Sequence, residues 1–327
     1  MIYSLTNMRN IYLCTLSILL GIASAMATER EVSIPTSWGT IYGTLATPTE
    51  GSDTAVVIIA GSGPTDRNGN SGLNLNTSAY KMLSEDLVAE GLAVLRYDKR
   101  AIGLSHYPTE DIPNVLFDDY VDDAKVCVEF LRAEGYSRII LLGHSEGGLI
   151  SLLVATAEDI EVDGIVLLSA AGFPMDEILR WQLSEQLMPT HIGLMVTANN
   201  LILKLKSGER IAQESIPKEL LSLFHPNVQP FIINQMNYDP REVAARCSKP
   251  MLIVAGGRDI QVTVANGEAL HQAQPKATYV IFENMSHVMK DSLTTDRIEQ
   301  IVSVYTNSQL PLTEGLSSTI AQFINNI

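Results

Sequence analysis

The chain has 327 residues, a formal net charge of −15 and a pI near 4.8, with 46% hydrophobic residues and three cysteines. No cluster of Lys and Arg interrupts the acidic balance, which argues against nucleic acid or an anionic membrane surface as a partner. That length and composition suit one substantial α/β core carrying an insertion.

The first residues read as an export signal. One basic residue, Arg9, precedes an apolar run over 11–22, and Ala23-Ser24-Ala25-Met26-Ala27 supplies small residues suited to cleavage before Thr28. The run is too short to span a bilayer comfortably. Residues 1–27 are expected to be a signal peptide, with an uncleaved anchor as the alternative. The mature protein is then expected in the periplasm or outside the cell, with no stable membrane span. Cys14 follows Leu13 rather than a small residue, so it makes no lipoprotein signal. Cys127 and Cys247 remain, either joined as a disulfide or left as two buried thiols.

Residues 31–46 alternate loosely around Ser37-Trp38-Gly39, which predicts an antiparallel hairpin at a sheet edge. Apolar runs over 55–60, 92–96 and 139–142 follow, separated by helical periodicity over 80–90 and 117–133. Three more runs at 164–169, 251–255 and 278–282 repeat the pattern, with helices expected over 146–157 and 262–272. Unbroken apolar strands imply burial on both faces. The fold class is therefore α/β, a doubly wound and mostly parallel sheet. Right-handed crossovers place the loops after the strands' carboxyl ends along one edge, where such sheets bind ligands. Between 172 and 250 the alternation stops, and helices are expected over 175–188, 192–205, 217–224 and 228–237. This is read as a helical cap inserted between core segments 28–171 and 251–327, with closing helices over 297–305 and 316–327.

Within that order, Gly143-His144-Ser145-Glu146-Gly147 breaks an apolar strand and resumes as an apolar helix. It reads as a nucleophile elbow. A serine on so tight a turn leaves no room for side chains two residues away on either side, and Gly143 and Gly147 meet that need. The helix that follows aims its free amides and positive dipole end at any oxyanion formed above the serine. The five-residue string alone would arise by chance in about one chain in ten, so its partners decide its meaning.

A serine nucleophile needs a base. Of His106, His144, His191, His225, His271 and His287, only His287 sits in a short loop after a sheet strand and so returns to the catalytic edge. Asp259, after the strand over 251–255, is the matching acid that would fix the imidazole tautomer. Asp176, one strand earlier, is the alternative. The order Ser145, Asp259, His287 is that of the α/β-hydrolase arrangement. Two backbone donors are needed for the oxyanion. Glu146 supplies one amide and Ser62, in the glycine-rich loop after the first buried strand, the other, with Gly63 as the alternative. A dinucleotide fingerprint fails there, because Asp66 stands where a third glycine belongs. Neither H-E-x-x-H, a close Cys/His cluster nor a Walker loop occurs, so no metal and no cofactor is expected.

Three strings carry a resemblance: Gly61-Ser-Gly-Pro-Thr-Asp-Arg-Asn-Gly-Asn70, Arg96-Tyr-Asp-Lys-Arg-Ala-Ile-Gly-Leu-Ser105 and Gly257-Arg-Asp-Ile-Gln-Val262. With them the chain resembles the secreted bacterial α/β-hydrolases of the carboxylesterase type. The resemblance implies a Ser145, Asp259 and His287 triad, a cap over the site and a small-molecule carboxylic ester as substrate. Ala101 stands where similar proteins usually carry glycine, and the oxyanion loop lacks the histidine that opens it in many lipases. Asp66 and Arg67 are read either as substrate contacts or as an ion pair organising their loop. Cap residues Trp181, Met188, Phe224 and Phe231, with Leu187, Met195 and Met236, are candidates to line an acyl pocket for short to medium chains. The alternatives on the same scaffold are an aminopeptidase-type peptidase using Glu177, Glu185 or Asp239 as an amine clamp, a thioesterase or acyltransferase, and a noncatalytic binding module.

Overall fold

The computed structural model describes residues 28–72 and 75–327, and the expected signal peptide, residues 1–27, lies outside the described residues. Strands β1 (Thr28–Pro35) and β2 (Thr40–Thr47) form the hairpin, with Pro35 opposite Thr40. The Thr36 N–H donates to the Gly39 carbonyl at 2.9 Å and closes the turn. Next come β3 (Thr54–Ile59), a two-residue ladder of β4 (Asn70–Ser71) and β5 (Leu75–Asn76), helix α1 (Ala79–Ala89) and β6 (Ala93–Tyr97). They are followed by α2 (Phe117–Ala133), β7 (Arg138–His144), α3 (Glu146–Ala155) and β8 (Gly164–Leu168). The main sheet runs β1-β2-β6-β3-β7-β8, then β9 (Met251–Gly256) and β10 (Thr278–Phe282). β2 is antiparallel to both neighbours, and every pairing from β6 to β10 is parallel.

The continuous apolar strands are explained by the two-residue period of a strand. Ala55, Val57 and Ile59 of β3 enter one core, while Val56 and Ile58 enter the other. β7 and β8 divide in the same way, with Ile139, Leu141, Ile165 and Leu167 on the first face and Ile140, Leu142, Val166 and Leu168 on the second. The first face is covered by α2, α3, α8 (Pro240–Arg246) and α9 (Val264–Ala273), the second by α1 and α11 (Leu316–Asn326). Each aliphatic side chain buried in this way contributes about 1.5–3 kcal/mol.

Between β8 and β9 lie α4 (Met175–Leu187), α5 (Ile192–Lys206), α6 (Leu221–Phe224), α7 (Gln229–Gln235) and α8. Residues of α4 to α7 and their connections build an apolar cluster of their own, which includes Leu183, Ile202, Leu220 and Phe224. Three details depart from the sequence reading. The predicted helix over 217–224 is a 3₁₀ turn over Lys218–Leu220 leading into the short α6. Helix α8 was not anticipated, although Asp239 caps it by accepting the Arg241 N–H at 2.9 Å and Pro240 stands at its first position. Its Val243 and Ala244 pack into the first core, so the 172–250 span contains one helix of the core layer. β10, expected to be buried on both faces, is half-exposed, because it is the last strand and pairs only with β9. The chain closes with α10 (Arg297–Gln300), which runs into a π turn over Ile301–Tyr305, and α11. No helix among the described residues is long and apolar enough to cross a membrane.

Candidate active site

Ser145 stands between β7 and α3 with φ 55° and ψ −118°, a conformation that costs a non-glycine residue about 1–3 kcal/mol. The surrounding glycines make it attainable. A Cβ on Gly143 would lie 2.1 Å from the Gly147 carbonyl oxygen, and one on Gly147 would lie 2.2 Å from that of Ile59. The backbone of Ser145 is fixed by its N–H, which donates to the Leu168 carbonyl at 3.0 Å. Its side chain reaches a small cavity of about 90 Å³ that His287, His144, Tyr80, Ser62 and Gln261 also line.

Asp259 and His287 are brought together. Asp259 Oδ1 accepts the Gln261 and Val262 N–H groups, both at 2.8 Å, which leaves Oδ2 facing His287 Nδ1 at 2.7 Å. Their side chains are 0% and 7% exposed, so this contact is shielded from water. Two glycines let the acid loop lie against the base loop: a Cβ on Gly256 would meet the Met285 carbonyl oxygen at 2.3 Å, and one on Gly257 that of Glu283 at 2.4 Å. Across this seam the Gly257 N–H donates to Phe282 at 2.9 Å and the Arg258 N–H to Met285 at 3.0 Å. Asp176, the alternative acid, is instead paired with Arg180 at 2.9 Å and Lys206 at 3.1 Å.

Two residues without an assigned role in the sequence reading connect these parts. The Gly61 N–H donates to the Tyr80 hydroxyl at 3.0 Å, and that hydroxyl lies 2.7 Å from His144 Nδ1. Burial pushes the Tyr80 phenol well up, so it keeps its proton and donates it to Nδ1. Nε2 of His144 must then carry the ring proton, and it donates to the His287 carbonyl at 2.8 Å. Burial, reinforced by the neighbouring His287, lowers the His144 pKa to about 3, which keeps this ring neutral. A histidine inside the elbow and a tyrosine opening α1 were the available signals.

The loop after β3 is held from several sides. Lys99 Nζ donates to the Gly61 carbonyl at 2.5 Å and lies 3.4 Å from Glu146 Oε1. Burial lowers the Lys99 pKa, which the Glu146 carboxylate partly offsets. Asp66 Oδ1 accepts the Asn68 and Asn70 N–H groups at 2.8 and 2.9 Å. Arg67 pairs not with Asp66 but with Asp98 at 3.2 Å and Glu31 at 2.7 Å. Ser62 lines both the small cavity and a second one of about 380 Å³, whose wall includes Gly63 and Glu146.

The predicted pocket residues separate. Phe231 lines the second cavity. Phe224 is 0% exposed inside the α4–α7 cluster, Met188 is 44% exposed at the surface, and Trp181 borders a groove with Glu185 and Arg297. These three are not brought to the cavity that holds Ser145. Among the proposed amine clamps, Glu177 and Asp239 both meet Arg241, at 3.5 and 2.6 Å. Cys127 and Cys247 are both buried free thiols, not a disulfide. Among the described residues, no group of three His, Cys, Asp or Glu side chains is placed to hold a metal ion.

Several known proteins are similar to this chain. Esterase EstD of Thermotoga maritima is 28% identical over 239 residues, a match covering 72% of this chain and 54% of that protein. The chain thus spans about half the length of that curated relative. Proline iminopeptidase of Saccharolobus solfataricus is 25% identical over 64% of this chain and 74% of its own length. Among solved structures, the Pyrococcus furiosus esterase Pf2001 shares the fold with a TM-score of 0.57 at 19% identity, covering 92% of this chain and 91% of that one. An esterase from Exiguobacterium antarcticum does so at 0.56 and 19%, covering 90% of this chain and 100% of its own. The model of the serine aminopeptidase S33 family matches residues 69–291. That span is more than half of the sequence, and the protein belongs to this family of α/β-hydrolases.

Proposed function

We propose that the protein is a serine esterase that cleaves small carboxylic esters of short to medium acyl length through Ser145, His287 and Asp259. The observation that carries this reading is the 2.7 Å contact between buried His287 Nδ1 and Asp259 Oδ2 beside a cavity that Ser145 also lines. Ser145 attacks the ester carbonyl while His287 Nε2 accepts its proton, and Asp259 stabilises the imidazolium that forms. The Ser62 and Glu146 amides receive the tetrahedral oxyanion. Collapse of this intermediate gives an acyl-enzyme and the alcohol, which leaves with the proton from His287. The same histidine then activates water and releases the acid.

The family name and the iminopeptidase relative favour a peptidase as the second reading. It needs an unpaired carboxylate to hold a substrate amine, and Arg241 already occupies two of the three candidates, Glu177 and Asp239. An ester makes no such demand. The export pattern of residues 1–27 supports action in the periplasm or outside the cell.

The test is turnover of p-nitrophenyl acetate by purified Ser145→Ala against wild type. Loss of the nucleophile is expected to reduce kcat on the order of a millionfold. Equal rates in the two proteins overturn the assignment. Comparing kcat/KM for p-nitrophenyl esters with aminoacyl p-nitroanilides separates the esterase from the peptidase.

A further inference from the structure

Two cations beside the proposed oxyanion loop have no part in the ester chemistry: Arg67, within the 61–70 loop, and Arg96, in β6. Both are buried, with side chains 9% and 2% exposed. A buried cation is stable only when it is paired, so each depends on its counter-ions. Arg67 has two, Asp98 at 3.2 Å and Glu31 at 2.7 Å. Arg96 has one among the described residues, Glu29 at 2.6 Å. Burial lowers the Arg96 pKa, and the Glu29 carboxylate works against that shift.

Both glutamates belong to β1, the edge strand, which pairs only with β2 in the main sheet. Two residues apart on a strand, they point to the same face. The register carries that face inward, because Glu31 stands opposite Thr44 of β2 and Thr44 opposite Arg96 of β6. The Thr44 hydroxyl donates to Glu31 Oε1 at 2.8 Å and accepts from Arg67 Nη1 at 3.3 Å. Arg30, between the two glutamates, pairs instead with Glu134 just beyond α2.

The two arginines grip consecutive residues of the loop. Arg67 is one of them, and the side-chain oxygen of Asn68 accepts from Arg96. Contacts then run back toward Ser62. The Asn68 N–H donates to Asp66 Oδ1 at 2.8 Å, Thr65 forms an isolated bridge with Ser71, and the Thr65 hydroxyl donates to the Ser62 carbonyl at 3.4 Å.

We propose that Glu29 and Glu31 are positioning residues which, through Arg96 and Arg67, hold the Ser62 amide in its place at the oxyanion, a role that rests on the esterase reading of the site. Neither glutamate touches the ester. Without the Glu29 charge, Arg96 is a buried cation that turns toward water, and Asn68 loses its donor. The oxyanion contact strengthens as charge develops on the carbonyl, so a displaced Ser62 amide lowers kcat and spares KM. Glu31 matters less than Glu29, because Arg67 keeps Asp98 when Glu31 is neutralised.

The experiment compares wild type, Glu29→Gln, Glu31→Gln and Arg30→Ala, each well below its unfolding midpoint. It measures kcat and KM for p-nitrophenyl acetate, and the inhibition constant of an aryl trifluoromethyl ketone, whose tetrahedral adduct with Ser145 carries an oxyanion. Glu29→Gln is expected to lower kcat about tenfold with little change in KM, less than the loss of a hundredfold or more on removing an oxyanion donor outright. Its affinity for the ketone is expected to fall by about the same factor. Glu31→Gln is expected to lose about threefold in both readings, and Arg30→Ala to match wild type. An unchanged kcat in Glu29→Gln, with only a lower unfolding midpoint, would make these ordinary structural ion pairs and overturn the proposal. A loss of kcat without the matching loss of ketone affinity overturns it too, as does an equal loss in Arg30→Ala. If Glu29→Gln does not fold, Glu31→Gln decides by the same two readings, since its carboxylate is 69% exposed and can be neutralised with little harm to folding. Wild type that cleaves no p-nitrophenyl ester would overturn the esterase reading itself, and this role with it.

Discussion

Tyr80 meets both halves of the proposed machinery through a single oxygen, which accepts the Gly61 N–H next to the oxyanion loop and donates to His144 behind the His287 loop. Replacing it with phenylalanine keeps the ring and leaves two buried polar groups unpaired, Gly61 N–H and His144 Nδ1. Each costs about 1–3 kcal/mol, part of which the folded state sheds by letting the two loops drift. Tyr80→Phe is expected to lower kcat about tenfold with little change in KM, because small displacements of catalytic groups cost rate rather than binding. Steady-state kinetics on p-nitrophenyl acetate check this, and a change confined to thermal stability would reduce Tyr80 to a packing residue. The triad candidates were legible because each follows a strand end, a property that sequence order records. The Tyr80 to His144 contact was not, since it joins positions 64 residues apart whose meeting depends on how α1 packs against β6 and α11.

The loop that follows β6 tests how far a single backbone position shapes an element. Asp98 follows the strand and its carboxylate accepts the Arg67 N–H at 2.8 Å and the Leu104 N–H at 3.0 Å, drawing the chain into a tight turn. Gly103 fits beneath it, where a Cβ would lie 2.4 Å from Asp98 Oδ2. Ala101 opens the same turn at φ 68°, a left-handed conformation that an L-residue with a Cβ adopts at a cost of about 1–2 kcal/mol. The family resemblance that marked Ala101 as an unusual occupant therefore located a strained residue. Ala101→Gly is expected to raise the unfolding free energy by about 1 kcal/mol, the relief of strain exceeding the extra freedom gained by the unfolded chain. Urea titration checks this, and a lower midpoint in the variant would contradict it. Elements with strong local signals were readable in this way, down to the Gly143 and Gly147 requirement of the elbow. Helix α8 lies beyond the last helix expected in the 172–250 span, although Asp239 followed by Pro240 is a helix start. The candidate pocket residues part ways for another reason: helical spacing marks Phe224 and Phe231 alike as buried, but only packing puts one in the α4–α7 cluster and the other on a cavity wall.

At the scale of the whole molecule, the hydrogen-bond polarity around His144 links folding to pH. The folded protein needs this ring neutral, because Nδ1 accepts from Tyr80 while Nε2 donates to His287. Its pKa is held at about 3 in the folded state, against the ordinary value of 6.5. As pH falls below about 6.5 the unfolded chain takes up a proton at this position that the folded chain refuses until pH approaches 3. The stability that neutral His144 contributes is therefore complete above pH 6.5 and is lost progressively down to pH 3, with a slope of about 1.4 kcal/mol per pH unit from this one residue. His144→Gln retains a donor toward the His287 carbonyl and does not titrate. The variant is expected to be the less stable protein at pH 7, because it lacks the acceptor for Tyr80, and to lose less stability than wild type between pH 6.5 and pH 4. Denaturant midpoints for both proteins across that range measure the difference directly. Two parallel curves would mean that the acid sensitivity arises elsewhere and that the Tyr80 and His144 connection does not couple the loops of the proposed triad to the fold as a whole.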